Sequence, residues 1–227
     1  MKVGIIGTGN MGRVIARRLI HGGHQVFVAG SSQEKGRALA QELGGQGPGT
    51  IEAAATKDAV ASGCDVVVLA TWYSQSTRIA VELSDLLRGK VVVDIANPFN
   101  ETFDGLITDY DTSAGEEIQR RIPGAHVVKA FNTTFAPVLA DDAFDRTVVD
   151  VFLASDSDEA KARVAELVES SGLRPIDAGA LRNSRVLEQN ALFMVELQGR
   201  YGLNFQAGLK VLAAQALPFP ARAAAHA

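Results

Sequence analysis

Short apolar runs alternate with stretches of helical period along most of the chain. Residues 3–6, 25–29, 65–70, 90–95 and 126–130 are nearly continuous in Val, Ile, Leu and Ala. Such runs suit strands covered on both faces. Residues 49–51 add a short strand after the glycine-rich 44–49 loop. Residues 13–20, 57–62, 76–87 and a stretch near 113–122 repeat apolar positions three and four apart, the mark of amphipathic helices. A strand at 148–154, a helix at 158–170 and a strand at 174–177 read as a further βαβ-like unit. A long helical pattern from 181 to about 201 and a last amphipathic piece at 205–217 follow. This alternation implies an α/β fold with a doubly wound, mostly parallel sheet and a small C-terminal helical extension.

The first strand breaks into Gly7-Thr8-Gly9-Asn10-Met11-Gly12, and helical period starts at once. In that setting G-x-G-x-x-G is a dinucleotide fingerprint of Rossmann type. Gly7 serves the tight turn, Gly9 the approach of phosphate, and Gly12 the packing of helix on strand. The helix N-terminus then favours an anion. About 20 residues on, an NAD site would carry Asp or Glu against the ribose. This chain has Gly30-Ser31-Ser32-Gln33-Glu34-Lys35, with Arg37 beyond. No carboxylate closes the strand tip, and hydroxyls with Lys35 and Arg37 make a phosphate seat, so NADP is expected over NAD. Ser31 or Ser32 also suits a helix N-cap with Lys35 in water, and both readings hold together. The expected division is an NADP-binding domain at 1–154, a smaller β/α and helical region at 155–217, and a flexible Ala- and Pro-rich tail at 218–227.

Composition narrows the picture further. The 227 residues are 47% apolar and 21% charged, with a net charge of −4, so nothing favours nucleic acid. Lys and Arg are scattered. The single cysteine, Cys64, excludes an intrachain disulfide and precedes a buried strand, where a small core residue is expected; no Cys/His set has metal-ligand spacing. The apolar runs are of strand length, the fingerprint starts at residue 7, and a cytoplasmic protein is the default expectation.

Functional residues of such a sheet sit on the loops at the strand C-termini. These are the fingerprint, 70–75, 94–99 and 129–134. They offer hydroxyls, amides and aromatics but no evident catalytic dyad. His21 and His24 fall at the other end of the sheet, His126 opens a strand and His226 lies in the tail. Lys129 is the one ionisable group of these loops with reach, and a salt bridge at a strand end explains it equally well. Trp72, Tyr73 and Phe131 suit either a stacking wall for a flat ring or a cover for the sheet end. An alcohol dehydrogenase usually needs a group to move a proton with the hydride, whereas a reaction between two redox cofactors needs chiefly a close, oriented, dry approach.

The fingerprint, Ala29-Gly30-Ser31-Ser32, Asp94-Ile95-Ala96-Asn97-Pro98, Val128-Lys129-Ala130-Phe131-Asn132-Thr133 and the late Gly179-Ala180-Leu181 with Arg185 and Leu187-Glu188 recur in one order. Together, over roughly residues 1–212, they resemble the coenzyme F420-dependent NADP oxidoreductase family. The resemblance implies hydride transfer between NADP(H) and the deazaflavin of coenzyme F420, or a related flavin, stacked on the nicotinamide. It implies that Gly7, Thr8, Gly9, Asn10, Met11 and Gly12 hold the pyrophosphate. Ser31, Ser32 and Lys35 would meet the 2′-phosphate, and Thr71 and Trp72 would border the nicotinamide ribose. Asn97, Pro98, Phe131 and Asn132 would border the ring pocket. The family often has Arg after the serine of the second strand tip, where this chain has Ser32, so that clamp falls to Lys35 or Arg37. Arg182, Arg185 and Arg200 are candidates for the acidic tail of coenzyme F420.

Two other functions fit the same residues. One is an NADP-dependent reductase of a small imine or carbonyl, with Lys129 or Tyr73 as proton donor. The other is a non-catalytic NADP(H)-sensing module. Leu187, Ala191, Leu192, Met194, Val195 and Leu197 make the last helix broadly apolar, which suits a homodimer contact or burial within one chain.

Overall fold

The computed structural model describes residues 1–54, 56, 63–140 and 147–220; the expected helix at 57–62 and the end of the tail lie outside them. One sheet holds β1 (Lys2–Ile6), β2 (Gln25–Ala29), β3 (Thr50–Ala53), β4 (Val66–Leu69), β5 (Val91–Asp94) and β6 (His126–Lys129). Its order is β3-β2-β1-β4-β5-β6, and every pairing is parallel. The order reverses between β1 and β4, which opens a crevice at their C-terminal ends. The register sets Ile6 beside Ala29 and Leu69, and Asp94 beside Lys129, so the loop-bearing tips finish together.

Alternate strand residues feed two cores. Val66 and Val68 face the layer that holds Val14, Ile15, Leu19 and Ile20 of α1 (Asn10–His21) and Leu39 and Leu43 of α2 (Gln33–Leu43). Val67 and Leu69 face Ala80 of α3 (Tyr73–Glu82), Leu87 of α4 (Ser84–Leu87) and Ile118 of α5 (Ala114–Arg121). These are the two covered faces of a doubly wound, Rossmann-type sheet. The expected single helix at 76–87 is two, because the chain bends at Leu83 and turns both Leu83 and Leu87 inward.

Beyond α6 (Ala136–Ala140), strands β7 (Asp150–Leu153) and β8 (Arg174–Asp177) pair in parallel around α7 (Asp158–Ser170). Ala154 joins β6 through an antiparallel bridge to Lys129, with N···O distances of 2.9 and 3.1 Å, so this pair runs against the main sheet. A 3-10 turn at Leu181–Asn183 leads into α8 (Ser184–Tyr201). Valines of β1 and of α7 belong to one buried cluster.

The expected helix at 205–217 does not form. Gly202, Asn204 and Phe205 all have positive φ, which ends α8 and redirects the chain. The segment then runs irregularly, held from outside itself. The Val211 N–H donates to Asp150 Oδ2 at 2.8 Å, Lys210 Nζ to Asp150 Oδ1 at 3.2 Å, and Arg174 to the Val211 carbonyl at 2.8 Å. Tertiary hydrogen bonds override the amphipathic pattern here. No helix among the described residues is long and apolar enough to cross a membrane.

Candidate functional site

A cleft of about 1210 Å³ opens over the C-terminal edge of the sheet, lined by the fingerprint and by the loops after β2, β4 and β5. It exceeds the roughly 300–1,000 Å³ of ordinary small-molecule sites. Gly7 (φ 127°) shapes its floor: a Cβ there would lie 2.1 Å from the Ala70 carbonyl oxygen. Gly12 packs as closely on the Gly7 carbonyl, again at 2.1 Å, and itself stays behind the wall. Gly9 is different, with nothing within 4 Å of its missing Cβ. It begins α1 with no side-chain cap, so the helix N-terminus is left open to the cleft beside Thr8, Asn10 and Met11.

At the β2 tip the two serines divide the work. The Ser32 hydroxyl accepts from the Lys35 N–H at 3.4 Å, caps α2, and does not line the cleft. Ser31 and Lys35 do line it. Arg37 donates to Gln33 Oε1 at 3.2 Å, along its own helix. Arg13, directly after the fingerprint, also lines the cleft and is ion-paired with Glu42 of α2.

After β4, the Thr71 and Ser76 hydroxyls are 2.8 Å apart, which fixes the loop that presents Trp72. Thr71 and Trp72 line the cleft with Gln75 and Arg78; Tyr73 does not. Burial first, and then the charge of Glu117, push the Tyr73 phenol above its ordinary value. After β5, Asn97 lines the cleft and is clasped to Asn132, which stands behind it, as do Pro98 and Phe131. Phe131 (φ 60°) turns into the core instead of forming a wall. Aromatic lining comes from Trp72, Phe99, Phe135 and Phe205 instead.

Lys129 has no access to the cleft. Its ammonium is wholly buried, 2.8 Å from Asp94 Oδ2 and 2.6 Å from Glu188 Oε1 of α8, and it also donates to the Ala96 carbonyl. Burial alone would lower its pKa, but the two carboxylates override this and hold it above the usual lysine value. Burial pushes Glu188 up, against the pull of Lys129. Asp94 Oδ1 accepts from the Ala96 N–H at 3.0 Å, so the triad pins the start of the 94–99 loop. Arg185 is spent on a bidentate pair with Glu116 at 2.6 and 2.8 Å, while Arg182 and Arg200 are exposed. His24 is buried between the chain's N-terminal amine and Ser170, away from the cleft.

Among the described residues, no histidine, cysteine, tyrosine or aspartate lines the cleft. Sequence reasoning missed Arg13, Arg78, Phe135 and Phe205. Arg13 was within reach of it, being one step past the last fingerprint glycine. Phe205 was not, because distant tethers place it.

Residues 2–98 match the model of the family described as NADP oxidoreductase, coenzyme F420-dependent. The chain is 31% identical over 222 residues to the F420-dependent NADP reductase of Methanothermobacter thermautotrophicus, covering 93% of this chain and 94% of that one. The chain belongs to the coenzyme F420-dependent NADP oxidoreductase family. It is thus a member of an NADP-dependent oxidoreductase family. A crystal structure from Arthrobacter sp. FB24, provisionally assigned as an F420-dependent NADP-reductase, superposes with a TM-score of 0.77 at 32% identity. It covers 89% of this chain and 95% of that one. Metalloreductase STEAP3 of Rattus norvegicus is 32% identical over 187 residues, 82% of this chain and 36% of that longer protein.

Proposed function

We propose that the protein moves a hydride between NADP(H) and the deazaflavin coenzyme F420, both bound in the cleft. One observation carries this reading. The likeness to a named F420-dependent NADP reductase runs over 94% of that enzyme, and the cleft offers an open helix N-terminus, with Glu42, paired to Arg13, and Glu82 the carboxylates among its described lining. The two cofactors supply the redox chemistry, and the protein's part is to bind, orient and exclude water.

The residues present fit an NADP-type dinucleotide. The uncapped α1 N-terminus and the open space at Gly9 suit a pyrophosphate, with Thr8, Asn10 and Met11 around it. Ser31 and Lys35 would meet the 2′-phosphate, and Ser32 would act through the α2 cap. Thr71 and Trp72 would border the nicotinamide ribose. Asn97 would border the ring, with Pro98, Phe131 and Asn132 setting the loops behind it and Gly12 the helix. Burial of Lys129 and withdrawal of Tyr73 count against a proton-donating reductase of imines or carbonyls.

The reading includes a homodimer. Leu187, Ala191, Leu192 and Met194 are buried within the chain, whereas Val186 and Phe193, seven residues apart on α8, and Tyr201 are exposed. That stripe is the face offered to a second copy.

The test follows NADPH oxidation by absorbance with coenzyme F420, with a flavin, and with no acceptor, using NADH as the matched control. Turnover with coenzyme F420 and not with the flavin, faster with NADPH than with NADH, is expected. Tight NADPH binding with turnover on neither acceptor would sink the proposal.

A further inference from the structure

The loop after β5 carries a feature that the cofactor reading leaves unused. Phe99 and Leu106 form an antiparallel bridge, and between them residues 100–105 fold into a tight turn. Asn100 and Asp104 lock it: the Asn100 side-chain amide donates to Asp104 Oδ1 at 2.7 Å, and the Asp104 N–H returns to Asn100 Oδ1 at 3.1 Å. Thr102 adds a hydroxyl to the same carboxylate at 2.6 Å. At the tip, Phe103 is held at φ 58°, a conformation that bulky residues rarely adopt.

The rings explain what the turn presents. Phe103 sits 5.7 Å from Phe99 and 6.2 Å from Trp72, centroid to centroid, at interplanar angles of 55° and 63°, so loops after two different strands meet through tilted and edge-on ring contacts. Trp72 and Phe99 line the cleft, yet Trp72 is 67% and Phe103 42% exposed. Two exposed rings on the rim of a cleft, backed by the half-buried Phe99 and held by a locked turn, make an expensive surface unless something flat covers it. The platform is continuous with the cleft at Thr71 and Asn97.

We propose that Trp72, Phe99 and Phe103 form a platform that receives the flat, fused heteroaromatic ring of the second redox partner and so sets acceptor specificity. This rests on the function proposed above and assigns the acceptor's side of the site. The Asn100–Asp104 lock acts as a positioning device for Phe103.

Phe103→Ala, at an exposed tip, tests the platform without threatening the fold. The KM for coenzyme F420 is expected to rise about fivefold to tenfold, with the KM for NADPH within about twofold. Asp104→Ala, which frees the turn, should do the same more weakly, while Tyr110→Ala, 95% exposed further along the loop, should change neither. Because Trp72 is the only tryptophan of the chain, riboflavin titrated in the presence of NADP⁺ should quench its emission saturably, and less tightly in Phe103→Ala. An unchanged KM for coenzyme F420 in Phe103→Ala, with turnover intact, overturns the platform and leaves the activity standing. Absent turnover with coenzyme F420, but riboflavin quenching weakened by Phe103→Ala, overturns the activity and keeps the platform for another flat ring. Neither turnover nor quenching overturns both.

Discussion

Asn97 and Asn132 hold one another across two loops. The Asn97 amide donates to the Asn132 carbonyl and the Asn132 amide to Asn97 Oδ1, each at 2.9 Å. One loop follows β5 and the other β6, so the clasp fixes the cleft wall from behind. Asn132→Ala removes one of the bonds and should cost about 1 kcal/mol. A thermal melt will read that loss. Hydride transfer should slow by about threefold to tenfold with the KM for NADPH little changed, since the wall loosens while the nucleotide seat is intact.

Lys35 is the cation that lines the cleft at the β2 tip. Lys35→Ala should raise the KM for NADPH about tenfold, as expected for the loss of one charge-assisted contact, and leave the weaker NADH reaction unchanged. An equal loss with both nucleotides would place the 2′-phosphate elsewhere.

The buried triad gives a prediction in pH. Burial raises Glu188, so the stability it contributes is complete below the ordinary carboxylate pKa and is lost as pH rises through its folded value. Glu188→Gln removes that loss. In urea unfolding the variant should therefore gain on the parent as pH rises above the ordinary carboxylate range. Lys129→Met leaves two carboxylates buried together and should cost about 3–5 kcal/mol. In Glu188→Gln turnover should persist, because neither group reaches the cleft.

Asp150 behaves in the opposite sense. Burial opposes its charge, but Arg174 and the bonds from Val211 and Lys210 win and lower its pKa. Its contribution is present above the ordinary aspartate value and lost as pH falls through the folded one. Asp150→Asn should release residues 205–217 at neutral pH, seen as faster amide exchange and proteolysis there. The wild type should show the same release on acidification.

The dimer face is open to a simple check. Phe193→Glu should give a folded monomer in sedimentation, where the parent sediments as a dimer. A parent that is already monomeric removes the proposal.

The main sheet and the fingerprint were legible because their signals are local. Valine runs read as strands buried on both faces, and Gly7 and Gly12 have steric reasons, visible in their 2.1 Å approaches to main chain. What sequence alone leaves undecided depends on partners far along the chain. Phe131 suited either a stacking wall or a cover for the sheet end, and its ring is buried in the core, at a residue of positive φ. Residues 205–217 have the period of a helix, yet Asp150 and Arg174 claim their backbone groups. Glu188 carried an unread hint: a carboxylate among Leu187, Ala191 and Leu192 on the inner face of a helix requires a buried cation.

The three glycines of the fingerprint also differ in what they would reveal if altered. At positions 7 and 12 a methyl group collides with main chain, so folding itself is at stake. At position 9 the same methyl meets nothing. A β-branched residue there would plug the proposed phosphate seat of an otherwise native molecule. Position 9 thus separates assembly of the protein from occupancy of its cleft, and a Gly9→Val chain would serve as a permanently empty counterpart of the wild type.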